Sequence, residues 1–164
     1  MQFLVSLHNV KSDRLLAKLA HEMLEAVAEN NVDILRDHPE VPPLYRSGVR
    51  FREEPWAVGP RRLPGGLEQF THCLEIYARR WGDCAQLSAW RVGELRCGGP
   101  RTPEAPRGER ATLRYYVKAY CPRCSLRPGD QCHDTTHPDR ARCFHVQVRR
   151  PNGAIEDPSR LLAF

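Results

Sequence analysis

Lysine is nearly absent from this chain. Lys11, Lys18 and Lys118 are the only three among 25 basic residues, and arginine supplies the rest. We read this bias as base composition of the gene rather than as a binding task. Long apolar runs are missing too: no stretch approaches the roughly 20 residues of a membrane-spanning helix, so a membrane protein is not expected. Met1 to Arg14 holds only the short run Phe3-Leu4-Val5 and no basic leader, so no secretory signal is expected either. Cysteine is present seven times, an odd number with no export signal beside it. A disulfide scaffold is therefore not the first expectation, which leaves thiol chemistry, metal binding or core packing.

What remains is the material of one domain. The chain has 164 residues, 41% of them hydrophobic and 27% charged. Such a length buries roughly two thirds of the unfolded surface, enough for a core without staples. The formal charge of +5 is unevenly spread. Residues 1–100 carry 13 basic and 13 acidic side chains, whereas 101–164 carry 12 basic and 7 acidic. An acidic partner such as nucleic acid fits the C-terminal part, and a solvated arginine-rich surface fits it better.

Periodicity predicts the order of elements. Gln2 to Asn9 alternates as a short strand, and Ser12 caps a helix whose Leu16, Leu19, Met23 and Val27 share a face and which ends at Asn30-Asn31. Prolines 39, 42, 43, 55, 60 and 64 make a long irregular crossover, with Gly48 to Glu53 extended. A second helix fits Leu67 to Arg80, with Phe70, Leu74, Tyr77 and Trp81 on one side and Gly82 as its stop. A third runs to Cys97, where Gly98-Gly99-Pro100 breaks it. Ala111 to Tyr120, Cys143 to Arg149 and Ala154 to Glu156 read as strands. Helices followed by an antiparallel meander give an α+β domain.

Trp81-Gly82-Asp83-Cys84-Ala85-Gln86-Leu87 is the most informative segment. Asp83 can cap the third helix with Gln86 reaching back, a capping-box spacing. Cys84 is then the first helical residue, where unpaired N–H groups and the helix dipole favour a thiolate. A base and an orienting acceptor are needed as well. His145 lies mid-strand, and Arg150-Pro151-Asn152-Gly153-Ala154 suits a type I turn with a glycine bulge. That register pairs Arg150 with Ala154 and places Asp157 on the face of His145. A two-residue Asn-Gly turn would instead put Glu156 there.

Gly82-Asp83-Cys84, Leu87-Ser88-Ala89-Trp90-Arg91 with Glu94-Leu95-Arg96, and His145 with Ile155-Glu156-Asp157-Pro158-Ser159-Arg160-Leu161-Leu162 resemble transglutaminase-like proteins of tailed bacteriophages and prophages. Pro42 to Arg50 is similar to their N-terminal region, so the resemblance spans most of the chain outside roughly 100–142. It implies a papain-like core in which Cys84 is nucleophile, His145 base and Asp157 orienter. The Cys84 N–H, with the indole of Trp81 as a second donor, would form the oxyanion site. The implied activity is thiol hydrolysis or acyl transfer on a peptide or protein substrate, in the host cytoplasm or on the virion. A non-catalytic virion or assembly protein, contacting other phage proteins, is the alternative. The chain departs from the phage pattern at Ala85-Gln86, where acidic residues are usual.

Between the last long strands stand Cys121-Pro122-Arg123-Cys124, Cys132-His133 and His137. Cys121, Cys124, Cys132 and His137 can close a tetrahedral structural zinc site within an insert at 121–142, with His133 or Cys143 as substitutes. The insert's Pro, Gly and Asp residues make a poor core, so a metal would account for its order. This also permits a third reading, a zinc-stabilised nucleic-acid-binding module. His8, His21, His38, His72, Cys73 and Cys97 read as surface or packing residues. Elemental analysis of purified protein should find one zinc per chain, and Cys121→Ser with Cys124→Ser should remove it. Stoichiometric metal that survives those changes would put the site elsewhere.

Overall fold

The computed structural model describes residues 3–6, 13–52, 67–120 and 141–163. In chain order these form β1 (Phe3–Ser6), α1 (Asp13–Asp37), a 3₁₀ turn (Leu44–Arg46), β2 (Arg50–Phe51), β3 (Leu67–Phe70), α2 (Cys73–Arg79) and β4 (Trp81–Gly82). Then follow α3 (Cys84–Cys97), β5 (Thr112–Tyr120), β6 (Ala141–Arg149), β7 (Ile155–Glu156) and α4 (Pro158–Leu161). The fold is mixed α and β, with β5, β6 and β7 forming an antiparallel three-stranded sheet in that order. Two smaller sheets stand apart from it: β1 with β3, antiparallel, and β2 with β4, parallel.

α3 is the centre of the structure. It packs on α1 along one flank and on β6 along another, and α2, α4 and the 3₁₀ turn touch it as well. Every residue from Ala85 to Leu95 is buried. Close approach of α1 depends on Gly93, where a Cβ would lie 2.7 Å from the Cβ of Asn31. One apolar cluster joins Leu24, Val27 and Ala28 of α1 to Ala89, Val92 and Leu95 of α3 and to Val146 and Val148 of β6. A second surrounds Trp90 with Leu35, Leu44, Val49, Ile76 and Leu87. Burying these side chains supplies the main favourable free energy, at roughly 25 cal/mol per Å² of apolar surface.

A helix buried on all sides must satisfy its own polar residues. Ser88 does so by donating to the Val146 carbonyl at 3.0 Å. Arg91, whose side chain is 5% exposed, binds Glu94 at 3.1 Å, Glu156 at 2.6 Å and also Glu104. The fully buried Glu94 accepts the Leu44 N–H at 2.6 Å, tying the 3₁₀ turn to α3. Tyr45 of that turn donates its hydroxyl to Glu156 and lies against Arg91, whose guanidinium carbon is 5.1 Å from the ring centre.

Three local expectations are corrected. α1 continues through Asn30-Asn31 to Asp37, because Asn31 faces inward and its side-chain oxygen accepts the Cys73 N–H at 2.9 Å. That bond satisfies the first turn of α2, whose own cap residue His72 offers no side-chain bond. Leu67 to Phe70 is strand rather than helix, because it pairs with β1 from Phe3↔Phe70 to Ser6↔Leu67. Four strand segments thus interleave with the helices before the meander begins. The stop of α2 is Arg80, left-handed at φ 65°, and Gly82 sits in β4 instead.

Burial pushes the Glu94 carboxyl up to about 7, against the pull of Arg91 and of the Leu44 N–H. An acid whose folded pKa is raised binds its proton better folded than unfolded, so stability falls as pH rises through the window between the two values. The ordinary value is 4.5. Glu94→Gln should abolish this dependence. Urea unfolding should show wild type losing ground to the variant between those two values, by at most ~1.4 kcal/mol per pH unit. A constant difference across that window would place the proton elsewhere.

Candidate functional site

Cys84 opens α3 through local chemistry. Asp83 holds an extended conformation, and its Oδ1 accepts the Gln86 N–H at 2.8 Å. Gln86 Oε1 in turn accepts the Asp83 N–H at 3.1 Å, completing the capping box that the spacing predicts. Cys84 is a half-buried cysteine at the first helical position, where the positive end of a 14-residue helix favours negative charge. Cys73 contrasts with it. Burial, with Glu94 nearby, pushes that thiol up to about 12, so it is an inert packing residue.

His145 and Asp157 are brought together by strand register. Val148↔Glu156 and Arg149↔Ile155 pair across β6 and β7, and the Arg150 N–H donates to the Ala154 carbonyl at 2.9 Å. The turn closes with the Gly153 N–H on the Arg150 carbonyl at 2.9 Å and Gly153 at φ +84°. This is the longer of the two registers that the sequence allows, and it carries Asp157 to the level of Gln147. The His145 Nε2–H then meets Asp157 Oδ2 at 2.7 Å. Gln147 donates to the same oxygen at 3.1 Å, while Ser159 and the Arg160 N–H reach Oδ1 at 2.6 and 3.3 Å. Glu156 takes no part in this group, being held by Arg91 and Tyr45.

Asp157 therefore does two jobs. It caps α4, and it orients an imidazole. Burial resists its ionisation, but the bonds from Ser159, His145 and Gln147 outweigh that and hold its carboxyl below the usual range. Using Nε2 for Asp157 assigns the other ring nitrogen, Nδ1, to whatever stands across from it. Cys84 and Ser88 are four residues apart on α3, hence on one face and about 6 Å apart along the axis. Ser88 bonds the carbonyl of Val146, the residue after His145. The thiol thus stands one helical turn from the point where α3 touches β6 beside the histidine.

Trp81, expected as an oxyanion donor, lies in β4 with the Arg79 guanidinium carbon 3.9 Å from its ring centre and that of Arg52 at 5.6 Å. Cys121, Cys124, Cys132, His133 and His137 lie outside the described residues, as does the side chain of Cys143. β5 and β6 pair up to Tyr120↔Ala141, so the segment that carries the zinc candidates leaves and returns at adjacent positions. Sequence reasoning missed the group around Arg91. The only signal was Arg91 and Glu94 at i, i+3, a spacing common on exposed helix faces.

Compared with known protein families, with curated proteins and with solved structures, the chain finds no match.

The depressed Asp157 carboxyl carries a stability consequence of definite sign. Such a group stabilises the fold at pH above its unfolded value, roughly 3.9, and the contribution is lost as pH falls through the lower folded value. Asp157→Asn should thus be less stable than wild type at pH 6, and the deficit should shrink toward pH 2. Paired urea titrations at the two pH values measure it. A deficit independent of pH would mean that the lost bonds, not the charge, were responsible.

Proposed function

We propose that this protein is a thiol enzyme of the transglutaminase/papain-like kind, encoded by a phage or prophage, that cleaves or transfers an acyl group from a peptide or amide. The observation that carries the proposal is the 2.7 Å His145–Asp157 bond, with Cys84 one helical turn along α3 from the Ser88–Val146 contact beside that histidine. The residue stretches that resemble phage transglutaminase-like proteins supply the rest of the support. In this reading His145 Nδ1 takes the Cys84 proton, and Sγ attacks the substrate carbonyl. The oxyanion is met by the Cys84 N–H, with the Trp81 indole as the second donor. Collapse of the tetrahedral intermediate expels an amine that takes its proton from His145. Water then hydrolyses the thioester, or an incoming amine accepts the acyl group. A structural zinc on Cys121, Cys124, Cys132 and His137 belongs to the same reading and takes no part in the chemistry.

The nucleic-acid reading draws less support from the C-terminal charge. Arg150 of that part is bound by Glu109 at 2.7 Å and so is not available to a phosphate. A virion or assembly role without turnover predicts an unreactive or occluded Cys84 and a phenotype insensitive to Cys84→Ser.

Mapping iodoacetamide labelling across pH by mass spectrometry separates these readings. Cys84 should alkylate well ahead of Cys73 and Cys97, with an apparent pKa below the ~8.5 of a free thiol. Asp157→Asn should keep the fold at neutral pH yet slow Cys84 by orders of magnitude, as loss of an orienting aspartate does in related triads. Equal labelling of Cys84 and Cys97 would leave no working triad and favour the assembly role.

A further inference from the structure

Folding creates a concentration of charge that the sequence does not show. The first hundred residues are electrically balanced, with 13 basic and 13 acidic side chains. Yet Arg46, Arg50, Arg52, Arg79 and Arg80 converge on the corner where the chain enters α3. Parallel pairing of β2 with β4 sets Arg50 beside Trp81 and Phe51 beside Gly82. The Arg50 N–H donates to the Arg80 carbonyl at 3.1 Å, and the Arg52 N–H donates to the Gly82 carbonyl at 2.9 Å. Arg52 is thus fastened two residues ahead of the thiol. Arg80 reaches back to the Ser47 carbonyl at 2.7 Å, next to Arg46.

Four of these five, Arg46, Arg50, Arg52 and Arg80, are exposed, and among the described residues none of them has an ion pair. Asp83, three residues after Arg80, turns its carboxylate to the helix cap, while Glu53 and Glu54, next to Arg52 in sequence, lie outside the described residues. Arg80 also occupies a left-handed position, φ 65°, where glycine is the ordinary choice. Its side chain is kept there against the backbone preference. The positive end of α3 adds to the same field.

We infer that this arginine corner recognises a carboxylate-rich segment of a polypeptide and thereby selects the acyl donor presented to Cys84. The inference rests on the thiol-enzyme reading. Guanidinium forks match carboxylates in geometry as well as in charge. Single-stranded nucleic acid fits the corner less well, for two reasons. Binding of unpaired bases uses bare aromatic faces, and Trp81 already carries Arg79 at 3.9 Å. A nucleic acid also brings no peptide bond or open-chain acyl group for a thiol to cleave.

The test compares two alkylating reagents of similar size and different charge, iodoacetate and iodoacetamide, on wild type and on Arg50→Gln/Arg52→Gln. The ratio of the two rates at Cys84 reads the local field and cancels the reactivity of the thiol itself. It should exceed the ratio at Cys97, and it should fall by roughly threefold or more in the double variant and at high salt. A ratio equal to that at Cys97, or unmoved by the double variant, overturns the inference. A synthetic Glu-rich peptide should quench tryptophan fluorescence of wild type more strongly than a neutral peptide, and much less in the double variant. Tighter binding of a single-stranded oligonucleotide than of the Glu-rich peptide also overturns it, in favour of nucleic acid. Iodoacetamide labelling of Cys84 no faster than Cys97 would sink the thiol reading alone, and the peptide titration would still decide the arginine corner.

Discussion

One guanidinium holds this structure together. Arg91 lies on a helix that has no solvent-facing side, and it binds Glu94, Glu104 and Glu156 at once. Each carboxylate comes from a different part of the chain: the helix itself, the loop after it, and β7. Through Glu94 the group reaches the Leu44 N–H, and through Glu156 it reaches Tyr45. Of the three acids only Glu94 is fully buried, and burial raises its carboxyl to about 7 against the pull of Arg91, since a neutral acid avoids the cost of burying its charge. Removing one partner from a buried ion pair costs about 3–5 kcal/mol, a large part of the 5–15 kcal/mol that domains possess.

The candidate chemistry depends on that group at one remove. Glu156 is the residue before Asp157, so the bonds that Arg91 and Tyr45 make to it anchor β7 just where Asp157 turns toward His145. Alternation along the strand does the rest, sending Glu156 to the helix and Asp157 to the histidine face. Both candidate positions stand at helix starts. Cys84 follows the Asp83 cap of α3, and Asp157 is itself the cap of α4. Caps are rigid because they satisfy N–H groups that would otherwise lack partners.

Features written in neighbouring residues are legible in the sequence alone. The Asp83–Gln86 capping box is a matter of i, i+3 spacing. Proline and glycine at fixed offsets favour the 150–154 turn, and the observed register is the one that brings Asp157, not Glu156, to His145. The end of α3 at Gly98 and the strands on either side of residues 121–140 are equally plain, because propensity and breaker residues agree there.

What only the tertiary structure decided are the places where a distant partner outweighs local preference. Asn31 looks like a helix end and lies inside a helix, because the Cys73 N–H rewards it with a buried bond. Leu67 to Phe70 has a helical pattern and is strand, because β1 offers it a ladder. Arg91 and Glu94 have the spacing of a surface pair and lie in the centre, because α1, β6 and the 3₁₀ turn close over them. Residues 46 to 52 and 79 to 80 are unremarkable as sequence, and only the parallel pairing of β2 with β4 gathers their arginines at the thiol. The sequence by itself determined the Asp83–Gln86 cap and favoured the 150–154 turn, since each is a contact within a few residues. Burial, charge convergence and the central role of Arg91 come from contacts across about 30 to 65 positions, which no local pattern encodes.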